Sequence, residues 1–125
     1  MQIKIRALLF LVFLNAGGAW AHHSYAPFDS TRTLEVTGIV KEWAWTNPHV
    51  RLKLMVEDSS GAQVEYDFVT ASPSILRKIG GVTRNFIKEG DTATAIYFPK
   101  KDGSPGGALN WLNGVVAAPG LPDSP

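Results

Sequence analysis

The sequence predicts a small all-β domain with one short helix. Three segments between residues 34 and 70 alternate apolar and polar side chains, as strands with one buried face do. A helix-start signal follows at Ser72-Pro73, and two further alternating segments lie between it and residue 118. The chain is therefore expected to bury one core between strands rather than between helices.

The first strand begins at Leu34, and its alternation slips near Lys41-Glu42. A slip of this kind indicates a β-bulge in a long, bent strand. Asn47-Pro48 then ends the strand in a turn. The next two strands are predicted at residues 49–57 and 62–70.

The helical segment has a start and a stop. Ser72-Pro73 suits an N-cap followed by the first helical position, and Gly80-Gly81 ends the helix. Strands at residues 92–98 and 108–117 come after it. Three strands, a short helix and two strands is the element order of the OB-fold, a five-stranded Greek-key barrel. An open antiparallel sandwich of the same strands is the alternative.

Residues 1–21 have the three parts of a secretory signal peptide: a charged start, an apolar run, and Ala19-Trp20-Ala21 at the cleavage site. An uncleaved anchor is the alternative, but the apolar run falls short of the ~20 residues that a membrane span needs. The predicted organisation is signal peptide 1–21, a barrel domain with an N-terminal arm at 22–118, and a flexible tail at 119–125. The predicted location is the periplasm.

Composition excludes several classes of function. The chain has 12 basic and 11 acidic residues, and two of the basic residues leave with the signal peptide, so no basic excess indicates nucleic-acid binding. It has no cysteine, which excludes disulfides, thiolate chemistry and Cys-based zinc sites. It has no nucleophile elbow and no phosphate-binding glycine loop, so a non-enzymatic role is favoured.

The histidines carry the sharpest chemical hypothesis. Cleavage after Ala21 makes His22 the first residue, with both its α-amine and its imidazole able to bind one metal ion. His49 would supply a third nitrogen, and such a planar nitrogen set favours copper as Cu(II). His23 is an alternative ligand, since it can combine the terminal amine, the intervening amide nitrogen and its own ring. Purely structural histidines are the competing interpretation.

A metal-free binding module is the second hypothesis. Trp45, Asn47 and Tyr25 could line a site for a small ligand or a partner protein, together with the Gly- and Pro-rich loop at residues 100–107. Most aromatic residues fall on the apolar phase of their strands, however, which favours the core for Trp45. A structural protein of the cell envelope is the third possibility.

Several motifs together resemble a known family. His22-His23-Ser24-Tyr25, Phe28-Asp29, Trp45-Thr46-Asn47-Pro48-His49 and Lys88-x-Gly90-Asp91 are similar to a family of small exported bacterial proteins of unknown function, number 6152 in the series of such domains. The resemblance implies export and a single domain, and makes the three histidines positions of the family pattern. It implies no activity.

Overall fold

A computed structural model of the chain describes residues 27–117. The predicted signal peptide, His22, His23, Tyr25 and the predicted tail lie outside the described residues. The described part contains six strands and one helix: β1 Leu34–Ala44, β2 Arg51–Glu57, β3 Gln63–Val69, α1 Pro73–Ile79, β4 Thr92–Pro99, β5 Gly106–Leu112 and β6 Val115–Val116.

The strands form one sheet that closes on itself. Their order is β3-β2-β1-β4-β5-β6, and β3 also pairs with β5 in parallel. That extra pairing joins the two sides of the sheet and makes β1 to β5 a closed barrel. The predicted five-stranded OB-fold is confirmed, and the open sandwich is excluded, because a sandwich would leave this seam unpaired.

A bulge lets β1 serve two partners. Its first half pairs with β4 and its second half with β2, and the register with β2 shifts between Val40 and Glu42. The predicted bulge is therefore confirmed, with Lys41 as the extra residue. Val40 is 1% exposed, and its backbone N–H and C=O bond to the loop that precedes β4. The bulge thus bends the strand around the barrel and ties this loop to it.

The core fills the barrel, and α1 covers one side of it. The fully buried side chains include Phe68, Leu52, Leu54, Leu76, Leu109 and Leu112. The helix begins as predicted, with the Ser72 side chain accepting from the Ile75 N–H, and its C-cap is Gly80. The apolar side chains of the helix are only partly buried: Leu76 is fully enclosed, whereas Ile75 and Ile79 are each 39% exposed.

The last predicted strand needs a correction. The segment 108–117 is not continuous, since β5 spans Gly106–Leu112 and a turn at Asn113-Gly114 leads into β6. Gly106 and Gly107, which look like loop residues in sequence, belong to β5. Their backbone passes so close to β3 and β4 that a Cβ on Gly107 would lie 1.9 Å from the Phe98 carbonyl oxygen. The two glycines allow the barrel to close.

Candidate functional sites

His49 lies in the connection between β1 and β2, after the cis Asn47-Pro48 peptide bond. Its Nδ1 is 3.0 Å from the Thr70 carbonyl oxygen, and the residue is exposed. A carbonyl can only accept, so the proton of the neutral ring is on Nδ1, and Nε2 keeps its lone pair. Histidines that bind metals are commonly oriented in this way, by an N–H bond from the second ring nitrogen.

The carbonyl that orients His49 is itself held firmly. Thr70 is 5% exposed, and its hydroxyl donates to the carbonyl oxygen of Ala117. Its N–H donates to the Val50 carbonyl at 3.0 Å, and the Val50 N–H donates to Ala71 at 3.0 Å. The hydrogen bond to Thr70 therefore attaches the imidazole to a rigid part of the barrel.

The N-terminal arm meets the barrel at a different place. Pro27 accepts from the Lys101 N–H at 2.9 Å, and the Asp29 N–H donates to Pro99 at 2.8 Å. These bonds fix the arm where β4 ends and β1 begins. His49 lies where β1 ends and β2 begins, beside the end of β3, and one strand separates that end from the end of β4, since Val69 and Phe98 both pair with Ala108. Within residues 27–117, no group of three His, Cys, Asp or Glu side chains is placed to hold a metal ion.

Of the predicted ligand-contacting residues, the structure describes Trp45 and Asn47. Trp45 is 8% exposed and belongs to the core, with its ring tilted 55° against that of Trp43 at 5.9 Å. This position favours the core interpretation of Trp45. Asn47 is exposed and stands two residues before His49.

The loop at residues 100–107 is an ordered turn beside a small pocket. The Asp102 carboxylate accepts from the Ser104 hydroxyl and N–H at 2.7 and 2.9 Å, and these bonds lower the Asp102 pKa. The pocket has a volume of about 180 Å³ and is lined by the loop, Tyr66 and Tyr97. Burial raises the pKa of Tyr97.

The outward face of β2 and β3 carries charges that neutralise each other. Lys41 donates to Glu65, which lowers the Glu65 pKa and raises that of Lys41. The Lys53 ammonium lies 3.6 Å from Glu65, and Arg51 pairs with Asp67. Single-stranded nucleic acids are bound by grooves with a positive excess and stacking aromatic rings. The outward face of β2 and β3 presents ion pairs and not such a positive, aromatic groove.

A larger cleft was missed by the sequence reasoning. It has a volume of about 610 Å³ and lies between the β1 bulge and the loop that precedes β4. We name it the Trp43 cleft; it is lined by Lys41, Glu42, Trp43, Arg84, Asn85, Ile87, Lys88, Glu89 and Asp91. The slip near Lys41-Glu42 marks the bulge that forms one wall of the cleft, but no sequence signal places the loop that forms the other wall.

No helix among the described residues combines the length and the apolar character needed to cross a membrane.

Two solved structures show a similar arrangement. One is the mitochondrial single-stranded DNA-binding protein Rim1 from S. cerevisiae, at 8% identity and a TM-score of 0.46, covering 66% of this chain and 92% of that chain. The other is a ZRD-deleted mutant of TiaS in complex with agmatine, at 18% identity and a TM-score of 0.46, covering 74% of this chain and 24% of that chain.

No curated protein sequence matches this chain. A match to a protein family extends over residues 11–110, which is most of the sequence, and it confirms the family resemblance drawn from the motifs. The chain belongs to the family of unknown function DUF6152.

Proposed function

We propose that this protein is an exported periplasmic domain that binds copper at its mature N-terminus and serves in metal handling. His22 contributes its amine and imidazole, His49 contributes Nε2, and His23 is a flanking or alternative ligand. The observation that carries the proposal is the geometry of His49, whose Nδ1 is bonded to Thr70 and whose residue is exposed to solvent.

The donor chemistry suits Cu(II). An α-amine has an ordinary pKa of ~7.8 and an imidazole one of ~6.5. Around neutral pH, Cu(II) can therefore displace the proton from either group. Amine and imidazole nitrogens of one residue close a chelate ring, and a second imidazole completes a three-nitrogen set. In this proposal two of the three nitrogen donors come from His22, which lies outside residues 27–117.

The barrel sets a condition on this arrangement. β1 has 11 residues and runs from the arm towards the His49 end. Across the seam between β3 and β5 the path is shorter, because Val69 and Phe98 both pair with Ala108 and so lie about two strand spacings, roughly 10 Å, apart. The five residues from His22 to Pro27 reach at most about 17 Å. Coordination by His49 therefore uses much of this reach, whereas the His23 mode does not involve His49.

Copper titration of the processed protein tests the proposal. We expect tight one-to-one Cu(II) binding by protein that begins at His22. Affinity should be at least tenfold weaker in the same protein with its N-terminal amine acetylated, because the α-amine is then no longer a donor in either histidine mode. Equal, weak binding by both proteins would refute the copper site.

A His49→Ala variant separates the two modes. Weaker binding than in the unmodified protein indicates that His49 is a ligand. Unchanged binding assigns the ion to the terminal amine, the amide nitrogen and His23. A Lys53→Ala variant, which alters an exposed ion pair on β2, is the matched control and should leave the titration unchanged.

The second candidate is a metal-free module that binds a small ligand at the loop of residues 100–107. The pocket beside Tyr66 and Tyr97 favours it. Its volume of about 180 Å³ is below the ~300–1,000 Å³ usual for ligand sites, and Trp45 is in the core. This candidate is therefore less well supported. If neither copper nor a ligand binds, a structural role in the cell envelope remains.

A further inference from the structure

We propose that the Trp43 cleft is a saccharide-binding site. The cleft is distinct from the histidine site, since it lies beside the β1 bulge and uses none of the histidines. Its volume of about 610 Å³ falls within the range of small-ligand sites and can hold a sugar of one or two rings.

The cleft has a rigid aromatic platform. The Trp43 indole N–H donates to the Thr83 carbonyl at 3.1 Å, and its ring contacts that of the buried Trp45. Because the polar atom of the indole already has a partner, what Trp43 offers a ligand is its apolar ring. Ile87 also borders the cleft, but it is only 5% exposed and belongs to the core that supports Trp43.

The walls are held in place before any ligand binds. The Val40 N–H donates to Asp91 at 2.8 Å, and the Gly90 N–H donates back to Val40 at 2.9 Å. The Asp91 carboxylate also accepts from the Lys88 N–H at 3.0 Å. These bonds fix the loop before β4 against the bulge, so a ligand does not have to organise the cleft.

The polar lining is balanced between donors and acceptors. It contains three basic side chains, three acidic ones and the amide of Asn85. Lys41 and Glu42 take part in the ion pairs of the β2–β3 face. Within residues 27–117, Arg84, Lys88 and Glu89 have no ion-pair partner within 4 Å. Hydrogen-bonding groups of both kinds therefore remain available.

This combination matches a sugar better than other ligands. A pyranose ring has an apolar C–H face that stacks on an aromatic ring, and each of its hydroxyls both donates and accepts. Inorganic anions and nucleic-acid phosphates favour an excess of cations, which the cleft lacks. A wholly apolar ligand would leave the unpaired charges of the lining desolvated, at a cost.

Backbone and indole NMR of the full chain, as the cell processes it, tests the site. The probes are cellobiose and N,N′-diacetylchitobiose, with inorganic phosphate and glycine betaine as the competing chemistries. We expect saturable shifts of the Trp43 indole and Asn85 amide signals with at least one disaccharide. Saturable shifts at the cleft with phosphate or betaine and neither sugar, or no saturable shift there at all, would overturn the proposal.

A pair of arginine variants completes the test. Arg84→Ala should weaken sugar binding about tenfold, as expected for loss of a hydrogen bond from a charged donor. Arg77→Ala, which changes an exposed arginine of α1 outside the cleft, should leave affinity unchanged. Arg84 and Arg77 are both exposed, so neither substitution should disturb folding. Trp43→Ala is avoided because Trp43 packs against the core. An equal effect of the two variants would refute the assignment.

Discussion

Thr70 joins three parts of the barrel end. Its hydroxyl bonds to Ala117 after β6, its N–H to Val50 just before β2, and its carbonyl to the His49 ring. The sequence around Thr70 does not predict these contacts, because every partner is distant in sequence or lies in a turn. The positioning of His49 could therefore not be predicted, although its identity as a candidate ligand could.

Thr70→Val tests how much the buried hydroxyl contributes. The substitution keeps the shape of the side chain and leaves the Ala117 carbonyl, whose residue is fully buried, without its donor. We expect the free energy of unfolding to fall by about 1–2 kcal/mol, measured by urea denaturation. Thr70→Ser keeps the hydroxyl and should lose less. A valine variant as stable as the original protein would show that this bond does not stabilise the fold.

At the level of elements, local signals predicted what local interactions determine. The bulge in β1 and the Ser72 cap of α1 were visible because each depends on neighbouring residues. The start of β5 was placed two residues late, since Gly106-Gly107 resembles a loop. Its strand conformation depends on a parallel pairing with β3, some 40 residues away in the sequence. Alternation and turn signals are local and cannot predict such a pairing.

Gly107→Ala should disrupt the pairing of β5 with β4. The added Cβ would meet the Phe98 carbonyl oxygen at 1.9 Å, and a backbone atom cannot move aside without opening the β4–β5 pairing. We expect the free energy of unfolding to fall by about 3 kcal/mol or more, or folding to fail. Gly61→Ala is the comparison, because its Cβ would meet nothing within 4 Å and only its φ of +83° is unfavourable. That variant should lose about 1–2 kcal/mol. Equal losses in urea denaturation would contradict the close-approach explanation.

For the whole molecule, the sequence predicted the barrel but not its concave surfaces. Trp45 is buried in the core, whereas Trp43 packs against the core and is half-buried at the cleft. Periodicity alone placed both on the apolar side. The charges of the cleft come from β1 and from residues 84–91, which are distant in sequence and meet only when the loop bonds to the bulge. Such convergence follows from the topology, which is why the cleft was missed.

The barrel also makes the length of the N-terminal arm decisive for copper. Deleting Ser24 and Tyr25 shortens the reach of His22 by about 7 Å, while His22, His23 and the Pro27 contact remain. We expect copper affinity to fall to that of His49→Ala, and adding His49→Ala to the deletion should cause no further loss. Isothermal titration of the four proteins forms a double-mutant cycle that isolates the coupling between arm length and His49.

A length-preserving control separates reach from side-chain chemistry. Replacing Ser24 and Tyr25 by glycine and serine keeps the span and should retain the His49-dependent affinity. If the deletion and His49→Ala instead weaken binding independently, with additive losses, then His49 still binds copper in the shortened chain. That result would mean that the arm crosses the barrel by a shorter path than its contacts at Pro27 and Asp29 imply. If His49→Ala has no effect at any arm length, the ion is held by the first two residues, and the oriented imidazole of His49 serves the fold.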